Sequence, residues 1–284
     1  MTGGAPVVAI SGASGYLGRG LCSCFQDHGW RVLRLVRSPR PGQSSDRRYD
    51  LADQPDPGLL AGVDVLVHAA YDLRLSRRDE VWRVNVEGTV RLLEAAERAG
   101  VGRIILLSSL SAYAGTGQLY GQAKLAIEAA AQALGAVVVR PGLVYGEQPG
   151  GMVGTLRRLT RLPLVPLVAA RSGLYPVHED DLASTVVALA AVPDLPPGPI
   201  GVAPTEPVPF RTILAALAAA DGRRCRFIPL PWQLVYASLR LAELLRFPIP
   251  VRADSLLGLV HPAPSVPGRE EVSRLGVELR KFAA

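Results

Sequence analysis

Between residue 7 and about residue 145, short β-branched runs alternate with longer stretches whose apolar residues recur every three to four positions. Continuous apolar runs suit strands buried on both faces, and the longer spacing suits amphipathic helices. Their alternation predicts parallel strands joined by crossover helices. The expected strands are Val7 to Ile10, Arg31 to Val36, Val63 to His68, Arg103 to Ser108 and Ala136 to Arg140; the expected helices lie near 16–28, 79–99 and 118–134. After Pro141 prolines become dense and charges sparse. Leu174 to His178 and Arg226 to Ile228 read as strands, and 180–191, 210–220 and 231–246 as helices. Pro193 to Pro199 and Pro204 to Pro209 read as loops. The pattern predicts an α/β chain: a doubly wound parallel sheet over residues 1–150 and a smaller C-terminal α/β lobe over 151–284, interleaved with the first.

Composition narrows this little. A chain of 284 residues, 49% hydrophobic and 20% charged, is neither disordered nor of low complexity. Its net charge of +6 permits an anionic partner, but the arginines are scattered, so nucleic acid is not expected. Lysine occurs only at Lys124 and Lys281. Cys22, Cys24 and Cys225 are too few for a disulfide framework or a Cys-rich metal site; no metal is expected, and a cytoplasmic protein fits best. The N-terminus does not read as a signal peptide. The run LASTVVALAAV is about half of the ~20 residues a spanning helix needs, so no membrane partner is expected.

The first strand runs into Ser11-Gly12-Ala13-Ser14-Gly15-Tyr16-Leu17-Gly18 and then a helix, giving G-x-x-G-x-x-G. Glycine permits a tight turn and lets backbone N–H groups and the positive end of the helix approach a pyrophosphate. Gly12, Ser14, Gly15, Tyr16, Leu17 and Gly18 are therefore the expected contacts of a dinucleotide, and the sheet reads as Rossmann-type. Tyr120 and Lys124 stand four apart on a predicted helix and project from one face. A cation beside a tyrosine favours phenolate, so Lys124 is expected to lower the pKa of Tyr120 toward neutrality.

The opening SGASGYLG resembles that of the extended short-chain dehydrogenase/reductase, or NAD-dependent epimerase/dehydratase, family, with Ser11 where threonine is commoner. Further matches follow in the family's order: Asp50-Leu51, His68-Ala69-Ala70, Asn85-Val86-Glu87-Gly88-Thr89, Tyr120-Gly121-Gln122-Ala123-Lys124, the block Arg140 to Gly146 and the block Val177 to Ala183. The resemblance implies Asp50 and Leu51 at the adenine, Ala69 and Ala70 leaving room for the cofactor, and Pro141 beside it. Asn85 would lie on a helix beneath it, or be a satisfied buried amide. A homodimer through the helices bearing Asn85 and Tyr120 is also implied. NAD-preferring members carry an acidic residue at the end of the second strand, where this chain has Val36, followed by Arg37 and Ser38. Arg37 and Ser38 could meet a 2′-phosphate, so NADP is expected over NAD; an ordinary exposed arginine is the alternative.

Ser109 occupies the family's catalytic Ser/Thr place, although Ser108 and Ser111 are close by. Ser109 would polarise the substrate oxygen, Tyr120 exchange the proton, and Lys124 tune it together with the cationic nicotinamide while also holding the cofactor ribose. Leu110 and Ser111 stand where dehydratases of the family carry acidic residues, and Leu143 where many sugar-nucleotide epimerases carry asparagine. Ser109 and Tyr120 are eleven positions apart, a short loop for a sugar-nucleotide enzyme. Leu162 to Ala170, Trp232, Tyr236 and Phe247 either pack the core of the small lobe, the commoner account, or offer apolar surface, while Arg157, Arg158 and Arg161 form either an exposed face or a grip on an anion. His178 and Asp181 read as structural, the acidic run 179–181 opening the next helix. The expected function is an NAD(P)-dependent oxidoreductase moving hydride between nicotinamide and a carbonyl or secondary alcohol of a small or apolar substrate. The alternatives are a nucleotide-sugar epimerase with tightly bound NAD(P), and a non-catalytic NADP-binding regulator or assembly factor.

Overall fold

The computed structural model describes residues 4–147, 150–194, 198–245, 247 and 251–283. A seven-stranded parallel sheet runs through its centre. It contains β1 (Val7–Ser11), β2 (Arg31–Val36), β3 (Asp46–Arg48), β4 (Val65–His68), β5 (Arg103–Leu107), β6 (Val137–Pro141) and β11 (Ile200–Val202), ordered β11-β6-β5-β4-β1-β2-β3. Successive side chains leave a strand on opposite faces, so an unbroken apolar strand feeds two cores. Val8, Ile10, Val67, Ile105 and Val139 pack on one face with Leu21 and Phe25 of α1 (Tyr16–Asp27) and Val186 of α6 (Glu179–Ala191). Ala9, Leu66 and Leu106 pack on the other with Leu92 and Leu93 of α3 (Glu87–Arg98) and Ile127 of α4 (Leu119–Ala133).

β1 pairs with both β2 and β4, and Ser11 and His68 are register partners at the carboxyl ends of β1 and β4. The strand order reverses there, which opens a crevice suited to a dinucleotide.

Several elements differ from the sequence reading. The helix expected over 79–99 is broken into α2 (Arg78–Val81), a π-helical turn (Trp82–Val86) and α3. The all-charged β3 is an unexpected edge strand, held where Arg34 reaches Asp46 at 3.1 Å. The expected strand over 174–178 divides at Tyr175. β9 (Gly173–Leu174) pairs antiparallel with β12 (Val208–Pro209), and β10 (Pro176–His178) pairs parallel with β7 (Leu143–Tyr145). β8 (Val165–Leu167) pairs with β13 (Phe227–Pro229), the latter one residue later than expected. A third core gathers Val153 and Leu156 of α5 (Gly151–Leu159), Val165, and Phe210, Ile213 and Leu214 of α7 (Phe210–Ala220). The chain beyond residue 150 also re-enters the main sheet through β11, next to β6. The remaining helices are α8 (Trp232–Leu244), α9 (Ala253–Val260) and α10 (Glu270–Arg274).

Candidate active site

The glycine turn is built for close backbone contact. Gly12 has φ +70, and a Cβ there would press to 2.9 Å on the backbone of Ala70. A Cβ on Gly18 would collide with the carbonyl oxygen of Gly12. The Gly15 N–H donates to that carbonyl at 2.8 Å and closes the turn. No side chain caps α1 and no acidic residue lies in its first turn, so its leading N–H groups are open to an anion. Ser14 and Gly15 are exposed, and Leu17 packs toward the core. These features fit a dinucleotide pyrophosphate. The Tyr16 ring lies against Gly150, and burial together with a hydrogen bond to Glu179 raises its pKa.

A buried relay fixes the crevice floor. The Ser11 hydroxyl oxygen accepts from the N–H groups of Ala69 and Ala70 at 3.1 and 3.3 Å, which uses both its lone pairs. Its proton therefore points to Nδ1 of His68, 2.7 Å away, and His68 donates from Nε2 to Thr89 Oγ1 at 2.8 Å. Burial, and secondarily the charge of Lys124, lowers the His68 pKa to about 3 and keeps the ring neutral.

Ser109 lies two residues beyond the end of β5, and its Oγ accepts from the Ser111 N–H at 3.1 Å. Tyr120 and Lys124 face it from the first two turns of α4. Tyr120 hydrogen-bonds through its side chain with Ser109, but burial outweighs that bond and pushes the phenol up to about 12. The ammonium of Lys124 donates to the carbonyl of Leu107 at 2.8 Å and stands 5.9 Å from the Tyr120 ring centroid, against 4.9 Å from that of Tyr71. Lys124 itself is buried, and desolvation lowers its pKa to about 8 while Glu128 opposes the shift.

Arg37 and Ser38 are exposed at the end of β2, and among the described residues Arg37 makes no ion pair. Nearby Asp72 is engaged by Arg74, whose hydrogen bonds hold its carboxyl below the usual range. Asp50 accepts from the Ala52 N–H at 3.0 Å, while Leu51 is buried against the second core. Asn85 sits in the π-helical turn, fully buried. Its side chain accepts from the Asp72 N–H at 2.7 Å and donates to the Asp72 carbonyl at 3.2 Å, clamping the loop after β4. Pro141 ends β6, and its carbonyl accepts from the Leu110 N–H at 3.1 Å. His178 caps α6 by accepting from the Asp180 N–H, and Asp181 accepts from the Arg280 backbone at 2.7 Å. Arg157 is paired with Asp221.

Three residues escaped the sequence reading. Tyr71 meets Tyr120 edge to face at 5.0 Å between ring centroids. Glu128 is buried on α4, accepting from Ser108 Oγ and from Arg140 at 2.9 and 2.6 Å, so it ties the ends of β5 and β6 to the helix of Tyr120. Its place four residues after Lys124, on the same helical face, was a readable signal. Asp254 of α9 accepts from the N–H groups of Leu119 and Tyr120 at 2.7 and 3.2 Å and caps α4 from another part of the chain. No local pattern could reveal that.

A glycine turn at a helix start, a strand-order reversal and a Ser/Tyr/Lys cluster thus lie at the carboxyl ends of the central strands. The model of the NAD dependent epimerase/dehydratase family matches residues 8–194, and the chain belongs to that family. It is an NAD(P)-dependent oxidoreductase of the extended short-chain dehydrogenase/reductase type. Its sequence is 31% identical over 234 residues to a ceramide reductase of Caulobacter vibrioides, covering 79% of this chain and 74% of that one. It is also 31% identical over 214 residues to an uncharacterized protein of Mycobacterium tuberculosis, of which it spans 23%. The fold is similar to that of MoeE5 in complex with UDP-glucuronic acid and NAD, with a TM-score of 0.74 and 23% identity over 97% of this chain and 94% of that one.

Proposed function

We propose that the protein is an NADP-preferring reductase of apolar carbonyl compounds, with Tyr120 as proton donor, Ser109 as polariser and Lys124 as the supporting cation. The observation that carries this is the placement of the Tyr120 phenol beside Ser109 just past the end of β5, with the buried Lys124 ammonium one helical turn further along α4. A phenol is protonated at neutral pH, as giving a proton in the reductive direction requires. In the reduction Ser109 donates a hydrogen bond to the carbonyl oxygen, and Tyr120 passes its proton to that oxygen as the double bond opens. When bound, the nicotinamide supplies the hydride that the carbonyl carbon accepts. The Lys124 ammonium favours the phenolate left behind, and Glu128 keeps Lys124 charged and ties Ser108, next to Ser109, to α4.

The glycine turn and the leading N–H groups of α1 would hold the pyrophosphate, with Asp50 and Leu51 at the adenine and Ala69 and Ala70 along the dinucleotide. Arg37 and Ser38 would meet the 2′-phosphate. Support for NADP comes from Val36, which presents no carboxylate there, and from an exposed Arg37 without an ion pair among the described residues. Support for an apolar substrate comes from Leu110, which stands where dehydratases of the family carry an acidic residue, from Leu143, which stands where many sugar-nucleotide epimerases carry asparagine, and from the relative named as a ceramide reductase. The reading extends to a cytoplasmic homodimer joined through the helical segments bearing Asn85 and Tyr120, and to residues 151–284 as the part that shapes the substrate site.

Incubation with NADPH and a series of hydrophobic ketones tests the reading. Consumption of NADPH in step with alcohol formation is expected, more slowly with NADH. Isomerisation of a nucleotide sugar without net cofactor turnover, and no ketone reduction, would contradict it.

A further inference from the structure

α8 is unlike every other long helix of the chain: none of its residues is buried. One side faces α9, where Glu243 accepts from the Ala253 N–H at 2.9 Å and Trp232 meets the His261 ring at 5.9 Å between centroids. The other side carries Leu234, Leu241 and Leu245, spaced seven and four apart and therefore in one stripe. Leu234 is 66% exposed, Leu241 57% and Leu245 58%, and Leu244 and Phe247 extend the patch. Ile228 and Leu230, just before the helix, are exposed as well. Soluble monomers rarely leave so continuous an apolar surface uncovered.

Charge identifies what covers it. Residues 222–247 hold five arginines, at 223, 224, 226, 240 and 246, against the single acid Glu243. Arg223, Arg224, Arg226 and Arg240 are exposed. A second copy meeting this face about a two-fold axis would set arginines against arginines, which opposes association. A surface combining leucine, phenylalanine and arginine fits the boundary of an anionic bilayer, with the apolar side chains among acyl chains and the guanidinium groups at lipid phosphates. Among the described residues no helix is long and apolar enough to cross a membrane, so the contact is peripheral.

We infer that α8, with the segment leading into it, docks the protein on anionic lipid bilayers. The surface is close to the chemistry: α8 packs on α9, and Asp254 of α9 caps the helix of Tyr120. Docking brings the α8–α9 side of the molecule, which holds the start of the Tyr120 helix through Asp254, to the bilayer, and the substrate class becomes a bilayer-borne lipid ketone; this last step rests on the proposed reductase reading.

Sedimentation of the full chain with phosphatidylcholine vesicles, with and without phosphatidylglycerol, tests the docking. The protein is expected to pellet with the phosphatidylglycerol vesicles, less so at high salt. The variant Leu234→Ser/Leu241→Ser/Leu245→Ser is expected to lose at least tenfold in bound fraction, and Arg223→Glu/Arg224→Glu is expected to weaken binding. All three leucines are exposed, so folding is preserved, as the melting temperature will show. Failure to pellet, or equal binding by the leucine variant, overturns the inference. So does a dimer that the leucine variant dissociates in light scattering. Reduction of a water-soluble ketone, measured on the same samples without vesicles, stays unchanged in the leucine variant. Its absence from the parent as well would overturn the reductase reading and leave docking to the vesicle result.

Discussion

Burial, more than any charge, sets the protonation states around Tyr120. The phenol is raised to about 12 and the Lys124 ammonium lowered to about 8, each because its charged form loses water. In the proposed mechanism Lys124 must be charged, so the rate of ketone reduction is expected to fall as pH rises through about 8. A rate constant flat from pH 7 to 10 would contradict that role. His68 makes a separate prediction about stability. Its folded pKa of about 3 lies below the unfolded value near 6.5, so the unfolded state takes up a proton first as pH falls. The stability tied to the neutral ring is complete above about 6.5 and is lost progressively toward pH 3. Urea unfolding at pH 7 and pH 5 is expected to show this loss, and a His68→Asn variant, weaker at pH 7, is expected to show less of it. Arg37→Ala is expected to weaken NADPH binding about tenfold or more and leave NADH binding nearly unchanged, as titration calorimetry will read.

The elements legible in the sequence were those whose burial is written into consecutive residues. β1, β2, β4, β5 and β6 are apolar on both faces and declared themselves, as did α1 and α4. β3 was hidden because Asp46, Arg47 and Arg48 owe their extended form to Arg34 and to pairing with β2, not to apolar pattern. The π-helical turn at 82–86 was hidden because its apolar content is that of an ordinary helix; the requirement comes from Asn85 and the distant Asp72 backbone. Likewise the candidate site was legible in the glycine turn and in Tyr120 and Lys124, whose spacing is local, and in Ser109 only through the family resemblance; it was illegible in Asp254, which acts across 134 positions. Asp254 makes the testable point. It satisfies two N–H groups at the positive end of α4, where loss of a side-chain cap costs about 1 kcal/mol. Asp254→Ala is expected to lower stability by roughly that amount, and Asp254→Asn by less, because an amide oxygen still accepts. Equal losses in thermal unfolding would show that the cap does not act through hydrogen bonding.

At the scale of the whole molecule, the chain beyond residue 150 is tied back to the sheet in several places. β11 joins β6, the Tyr113 hydroxyl donates to the His261 carbonyl at 2.9 Å, and Asp254 caps α4. The chain beyond residue 150 is thereby fixed to the helix carrying Tyr120, while α8 leaves its outer face exposed. The sequence showed apolar residues at Leu162 to Ala170, Trp232, Tyr236 and Phe247 but could not sort core from surface. Helical spacing alone does not say which face finds a partner. The structure separates Val165, which is fully buried, from Leu162 and Leu164, which are exposed.

The most direct test of the proposed chemistry is NADPH-dependent ketone reduction by the parent protein and by Tyr120→Phe, with NADPH affinity measured on both. The variant is expected to bind NADPH as the parent does and to lose about a hundredfold or more in rate, the scale of a positioned proton donor. An unchanged rate with intact NADPH binding would contradict the assignment of Tyr120 as proton donor.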